Sequence, residues 1–155
     1  MKKEGVMTEN HQNQQLSEAS PSVQLHLGIL QGVIERMASN STSSKAWCIT
    51  IVSAVLVIIA DKEKPDFAFI ALIPTFLFMT LDAYYLAMEK GFRSSYNLFI
   101  RKMHKSLLVP EDLYSVKPEG NQSKLQFEAF KSFSVWGFYS ILGLLIALTR
   151  WLVLS

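Results

Sequence analysis

FAFIALIPTFLFMTLDAYYLAM, residues 67–88, holds twenty-two residues and a single charge, Asp82. A helix that crosses a bilayer needs ~20 mainly apolar residues, so this segment reads as a span. Upstream, residues 46–60 (AWCITIVSAVLVIIA) carry no charge at all. That run is short, but Lys45 can snorkel and the uncharged 39–44 stretch suits the headgroup zone. Downstream, residues 132–149 are also uncharged, and Arg150 follows. A soluble bundle is the competing reading. Its helices would keep a polar face, and neither 46–60 nor 67–81 has one. The expected fold is an all-α membrane protein with three transmembrane helices: a 46–60/67–88 hairpin plus 132–149.

Positive charge orients the spans. Lys2, Lys3, Arg36 and Lys45 precede the first. Only Lys62 and Lys64 lie between the first and second, outweighed by Asp61, Glu63 and Asp66. Eight Lys and Arg residues lie between the second and third. The N-terminus and residues 89–131 are therefore expected in the cytoplasm and the DKEKPD loop outside.

The remaining composition excludes more than it specifies. A net charge of +2 over 155 residues is too small to argue for nucleic acid. One cysteine, Cys48, excludes an internal disulfide framework or a multi-cysteine metal site, and it reads as inert packing. Residues 1–20 hold no apolar run, so no cleavable signal peptide is expected. No nucleophile–base set, phosphate loop or metal spacing is visible. Neither an enzyme nor a cofactor is expected, and His26 and His104 read as surface residues.

Residues 1–20, polar and rich in Gln, Asn, Ser and Glu, are expected to be a disordered tail. Ser20 and Pro21 make a helix start, with Ser as cap. Val23, Leu27, Leu30, Ile34 and Met37 then form one apolar stripe, predicting a cytoplasmic amphipathic helix over 21–39. Gly28 and Gly32 form a small-xxx-small pair, either a close-approach surface or two tolerated glycines. Past the second span, Phe92, Tyr96, Phe99 and Met103 continue a stripe toward Pro110, predicting one helix over 67–109. Residues 110–131 read as a cytoplasmic linker before the third segment, 132–155. The two stripes are expected to pack together, within one chain or between copies of a homo-oligomer.

Asp82 most needs an explanation, because an ionisable group inside a span is costly and usually paired. Counted inward from the outer loop, Lys45 lies fifteen residues from Ala60 and Asp82 sixteen from Asp66. The two are expected at one depth, as an ion pair. The same count places Arg36 beside Glu89, which also has Arg93 one turn on. Two roles stand open for the Lys45–Asp82 pair: pinning the hairpin register, or acting as a coupling or gating charge. Pro74 frees the carbonyl of Ile70 and marks a kink site in the second span.

Two clusters carry a resemblance. One is Glu35-Arg36-Met37-Ala38 with Asn40-Ser41 and Lys45-x-Trp47. The other is Leu81-Asp82-x-Tyr84-Tyr85-Leu86 with Glu89, Phe92-Arg93 and Tyr96. Over residues 22–105 the chain resembles small bacterial inner-membrane proteins of the RipA-type oligomeric class, and its layout is similar to the SLATT class. That resemblance implies a membrane effector of a bacterial conflict or anti-phage system, switched on by a partner. The third span departs from a two-span layout. Three functions compete: a homo-oligomeric effector or channel-like assembly, an anchor or scaffold recruiting a cytosolic protein through residues 89–131, and, ranked last, a holin-like lysis protein. The partners expected are the lipid bilayer, further copies of the chain and a cytosolic protein of the same system.

Overall fold

The computed structural model describes residues 16–62 and 65–152. The expectation of disorder for residues 1–15 lies outside that range. Within it every regular element is a helix, without a strand. Helix α1 runs Pro21–Asp61, a 3-10 segment Pro65–Ala71 leads into α2 (Leu72–His104), a short 3-10 turn covers Pro110–Asp112, and α3 (Gln122–Phe130) precedes α4 (Phe133–Leu152). Three of these helical stretches are long and apolar enough to cross a membrane.

The first correction concerns α1. It does not stop near residue 39: the amphipathic stripe and the first span are one helix of 41 residues. Within the polar 39–44 stretch, hydroxyls bond back to carbonyls one turn earlier and so are satisfied without ending the helix. Thr42 Oγ1 donates to the Ala38 carbonyl at 3.2 Å, and Ser44 Oγ to that of Asn40 at 2.9 Å. At the start, Pro21 takes the first helical position, but Ser20 does not cap with its side chain. Its Oγ instead accepts from the Ser17 N–H at 3.0 Å.

The second correction concerns α2, which ends at His104, short of Val109. Ser106 adopts a left-handed φ of 54°. The Leu107 N–H reaches the Lys102 carbonyl at 2.9 Å, and the Ser106 N–H the Met103 carbonyl at 3.0 Å. That is a Schellman ending with serine in the glycine position. At the other end, Pro74 is the third residue of α2. It lies at the 3-10/α junction, where early N–H groups lack helical partners anyway, so it interrupts no mid-span hydrogen bond.

The third correction concerns residues 110–131, expected as a linker. They contain α3, capped by Asn121, whose side chain accepts from the Lys124 N–H at 3.1 Å. The helices associate through small residues. Ala83, Ala87 and Gly91 line α2 at four-residue steps, and all three are buried. Ala83 and Ala87 join Ala129 of α3 and Val135 of α4 in one core cluster, as expected where close backbone approach drives packing. Gly28 and Gly32 do not serve this purpose in the protomer, for a Cβ at either would meet nothing within 4 Å. Near the 3-10 segment, the Arg150 guanidinium lies 5.1 Å from the Phe69 ring centroid, a cation–π arrangement that seats a charge at the end of α4.

Candidate functional site

Asp82 is fully buried, and its carboxylate lies 2.6 Å from Lys45 Nζ. Ser41 Oγ donates to the other carboxylate oxygen at 2.5 Å. Ser41 and Lys45 lie one turn apart on α1, so one face of that helix supplies both a cation and a hydroxyl. From α4, Tyr139 is 4% exposed and brings its hydroxyl close to the Asp82 carboxylate. That hydroxyl has no hydrogen bond of good geometry. Phe138 places its ring 6.0 Å from Lys45 Nζ. All three long helices therefore meet at a single charge. A carboxylate in this setting is held by pairing and by a donated hydroxyl, without which its burial would cost several kcal/mol. Lys45, 19% exposed, gives the pair its one route to solvent.

The depth count thus finds Lys45 and Asp82, and it fails for Arg36. No ion pair joins Arg36 to Glu89 among the described residues. Glu89 pairs instead with Arg93 at 2.8 Å. Height along the axis is only half of the condition. Arg36 lies nine residues before Lys45, about two and a half turns at ~3.6 residues per turn. It therefore points to the opposite face and is exposed. Sequence reasoning also missed Ser41 as a ligand of the carboxylate, and Tyr139. Ser41 stands four residues before Lys45, a spacing that could have signalled it; nothing in the spacing of 132–149 marks Tyr139.

Beyond the pair, α1 and α2 continue together as a base formed by residues 21–37 and 89–104. Leu30 and Phe99 are buried there, Phe92 nearly so, while Leu27, Ile34 and Tyr96 are half-buried. The stripes meet each other within the chain, as one of the two expectations had it. His26 is a further correction. It is 1% exposed rather than a surface residue, and its ring packs on Phe99 at a centroid distance of 4.5 Å. His26 Nδ1 accepts the Tyr114 N–H at 3.0 Å, so the proton of the neutral ring sits on Nε2. Burial pushes the His26 imidazole below its ordinary pKa, and the Asp112 carboxylate offsets part of that. Burial pushes Asp112 up, but the hydrogen bond from Lys102 at 2.6 Å, the Val109 N–H and the charges of Lys102 and His26 outweigh it, leaving the carboxyl below its usual range.

Residues 105–121 form a strap across this base. Besides the His26–Tyr114 bond, Ser95 Oγ donates to the Lys117 carbonyl at 2.6 Å and the Glu119 N–H to the Gly91 carbonyl at 3.1 Å. Gly91 is required there, for a Cβ would stand 2.7 Å from that of Pro118. The opposite edge of the base is open, with a groove of about 590 Å³ along Ile34, Glu35, Ala38, Arg93 and Tyr96. Among the described residues no group of three or more His, Cys, Asp or Glu side chains could hold a metal ion. Compared with known families, curated proteins and solved structures, the chain matches no family model, no curated protein and no solved structure.

Proposed function

We propose that this chain is a non-enzymatic, multi-pass protein of the bacterial inner membrane that works as a homo-oligomeric effector or channel-like assembly in a defence or stress system. Its N-terminus and base face the cytoplasm, and the loop around residue 64 faces out. The charge distribution supports that orientation: eight Lys and Arg residues between the second and third spans, against two in the outer loop. One observation carries the functional reading. The one charge within the spans, Asp82 of α2, is paired with Lys45 and hydrogen-bonded by Ser41 of α1, and Tyr139 of α4 lies close to it. In this reading the junction holds a closed resting state, and its release frees α4 from α1 and α2. The open groove along Ile34 and Tyr96 is where a second copy would seat, beside the uncovered Gly28 and Gly32.

The strap favours a second reading, an anchor that recruits a cytosolic protein through residues 89–131. It is fixed to the base by hydrogen bonds at Asp112, Tyr114, Lys117 and Glu119 and presents Lys117 and Glu119 at its surface. Expression in bacterial cells with a potential-sensitive dye separates the two. An effector keeps the membrane potential as wild type and depolarises cells as Asp82→Asn or Lys45→Met. If both variants reach the membrane and the potential holds, the anchor reading replaces the first. A single-chain mass in mild detergent overturns the oligomer.

A further inference from the structure

Helix α4 lies against α2 and the 3-10 segment, and its approach to α1 is slight by comparison. Between α1 and α4 a groove of about 280 Å³ remains, lined by Ile49, Ser53 and Leu56 on one side and Phe138, Leu142 and Leu145 on the other. Its other lining residues are aliphatic, and Ser53 is its one polar contributor. The groove opens sideways, and Ile49, Ile141 and Leu145 of its own lining are among the exposed apolar side chains of the two helices.

We infer that this groove is a binding site for one acyl chain of a membrane phospholipid. The inference rests on the membrane-spanning reading and adds a ligand to it. Two observations select the occupant. Water is excluded by chemistry, since an ordered water needs two to four polar partners and the groove supplies one hydroxyl. The rest of the lining is hydrocarbon, and on the membrane-spanning reading the acyl chains of the bilayer are the solvent that surrounds these faces. The groove is also continuous with the exposed apolar surface on either side, so a lipid tail enters without crossing a polar rim.

Position gives the site a consequence. Phe138, at one end of the groove, adjoins Tyr139 and lies 6.0 Å from Lys45 Nζ by its ring centroid. Trp47 and Trp136 are exposed near that same end, where aromatic side chains mark a membrane interface. A chain lying in the groove therefore wedges α4 away from α1 beside the Asp82 junction, and the lipid is part of the packing that holds the three helices in register.

The test uses the full chain reconstituted in vesicles of palmitoyl-oleoyl phosphatidylglycerol doped with the same lipid carrying a mid-chain nitroxide. Electron paramagnetic resonance then separates immobilised from mobile lipid. Wild type should hold one immobilised lipid per chain beyond that of Ser53→Phe, which fills the groove from α1. Leu145→Phe, which fills it from α4, should lose the same component. Leu144→Phe, outside the groove, should keep it. Equal immobilised fractions in all four proteins would mean ordinary boundary lipid and overturn the site. Ser53→Cys in a Cys48→Ala background reports on a second copy instead: disulfide-linked dimers in the vesicles would also overturn it. Resistance to carbonate extraction is scored in parallel. A protein that stays in the membrane without immobilised lipid refutes only the groove, whereas one that washes off refutes the membrane reading beneath it.

Discussion

Asp82→Ala removes a fully buried carboxylate and leaves the Lys45 ammonium, 19% exposed, without its counter-charge. Breaking a buried pair from one side costs ~3–5 kcal/mol. Lys45 can straighten its stem toward water, which places the figure at about 3 kcal/mol, the lower end. Lys45→Ala is the harsher change. It strands a carboxylate that has no exposure and keeps only the Ser41 hydroxyl, for about 5 kcal/mol, the upper end. Lys45→Met combined with Asp82→Leu replaces both charges by apolar groups of similar volume and should return to within ~1 kcal/mol of wild type. At about 2–4 °C per kcal/mol for a chain of this size, Asp82→Ala lowers the melting temperature by about 6–12 °C. Lys45→Ala lowers it further, and the double variant stays near the parent. Thermal unfolding of the detergent-purified protein, followed by near-ultraviolet circular dichroism, reads all three. Single variants that each melt within about 2 °C of wild type, or a double variant worse than either single, would refute the pair as the joint that holds these helices.

Three further outcomes are expected. Gly91→Ala drives a methyl into Pro118 at 2.7 Å; the strain of ~1–3 kcal/mol should loosen the strap, read as faster proteolysis within residues 105–121. His26 carries a pH signature: its folded pKa lies below the unfolded value of ~6.5, so the unfolded state binds the extra proton first. The stability it contributes is complete above that value and is lost as pH falls through the folded pKa, so amide exchange at Tyr114 should accelerate below it in wild type and lose that dependence in His26→Phe. Gly28→Ala and Gly32→Ala, which meet nothing in the protomer, should each stabilise it by ~0.5–1 kcal/mol through helix propensity, and the bulkier Gly32→Trp should lower the mass of the purified assembly if copies meet at the open groove.

Much of this architecture was legible in the residues, for a physical reason. Length and apolarity determine what can cross a bilayer, so residues 46–60, 67–88 and 132–149 declare themselves. A short antiparallel hairpin then converts residue counts into heights, which brings Lys45 to Asp82. The count contains no azimuth, and Arg36 shows the consequence: correct height, opposite face. Other features depend on contacts that local sequence does not encode. Hydroxyls that bond back into the helix are satisfied within residues 39–44, so the helix runs on where their polarity suggests a boundary. Ser106 ends α2 in a left-handed conformation that no glycine announces. His26 is buried only because residues 105–121 fold across it, and Tyr139 reaches Asp82 only once α4 has docked on α2. The small residues that bring helices together are Ala83, Ala87 and Gly91, a stripe as visible in the sequence as Gly28 and Gly32, but its first two members are concealed inside an apolar run.

The place of the ion pair along the hairpin has a mechanical meaning. From Lys45, α1 extends sixteen residues to Asp61 and twenty-four back to Pro21, arms of about 24 and 36 Å at ~1.5 Å per residue. The pair is a fulcrum set off-centre, with the longer arm in the base. A relative tilt of about 10° between α1 and α2 at that point carries the tip of the long arm ~6 Å, more than one helical turn of ~5.4 Å, while the short arm moves two thirds as far. Force applied where the strap clasps the base therefore reaches the apolar end of the hairpin with leverage, and the buried carboxylate bears the load.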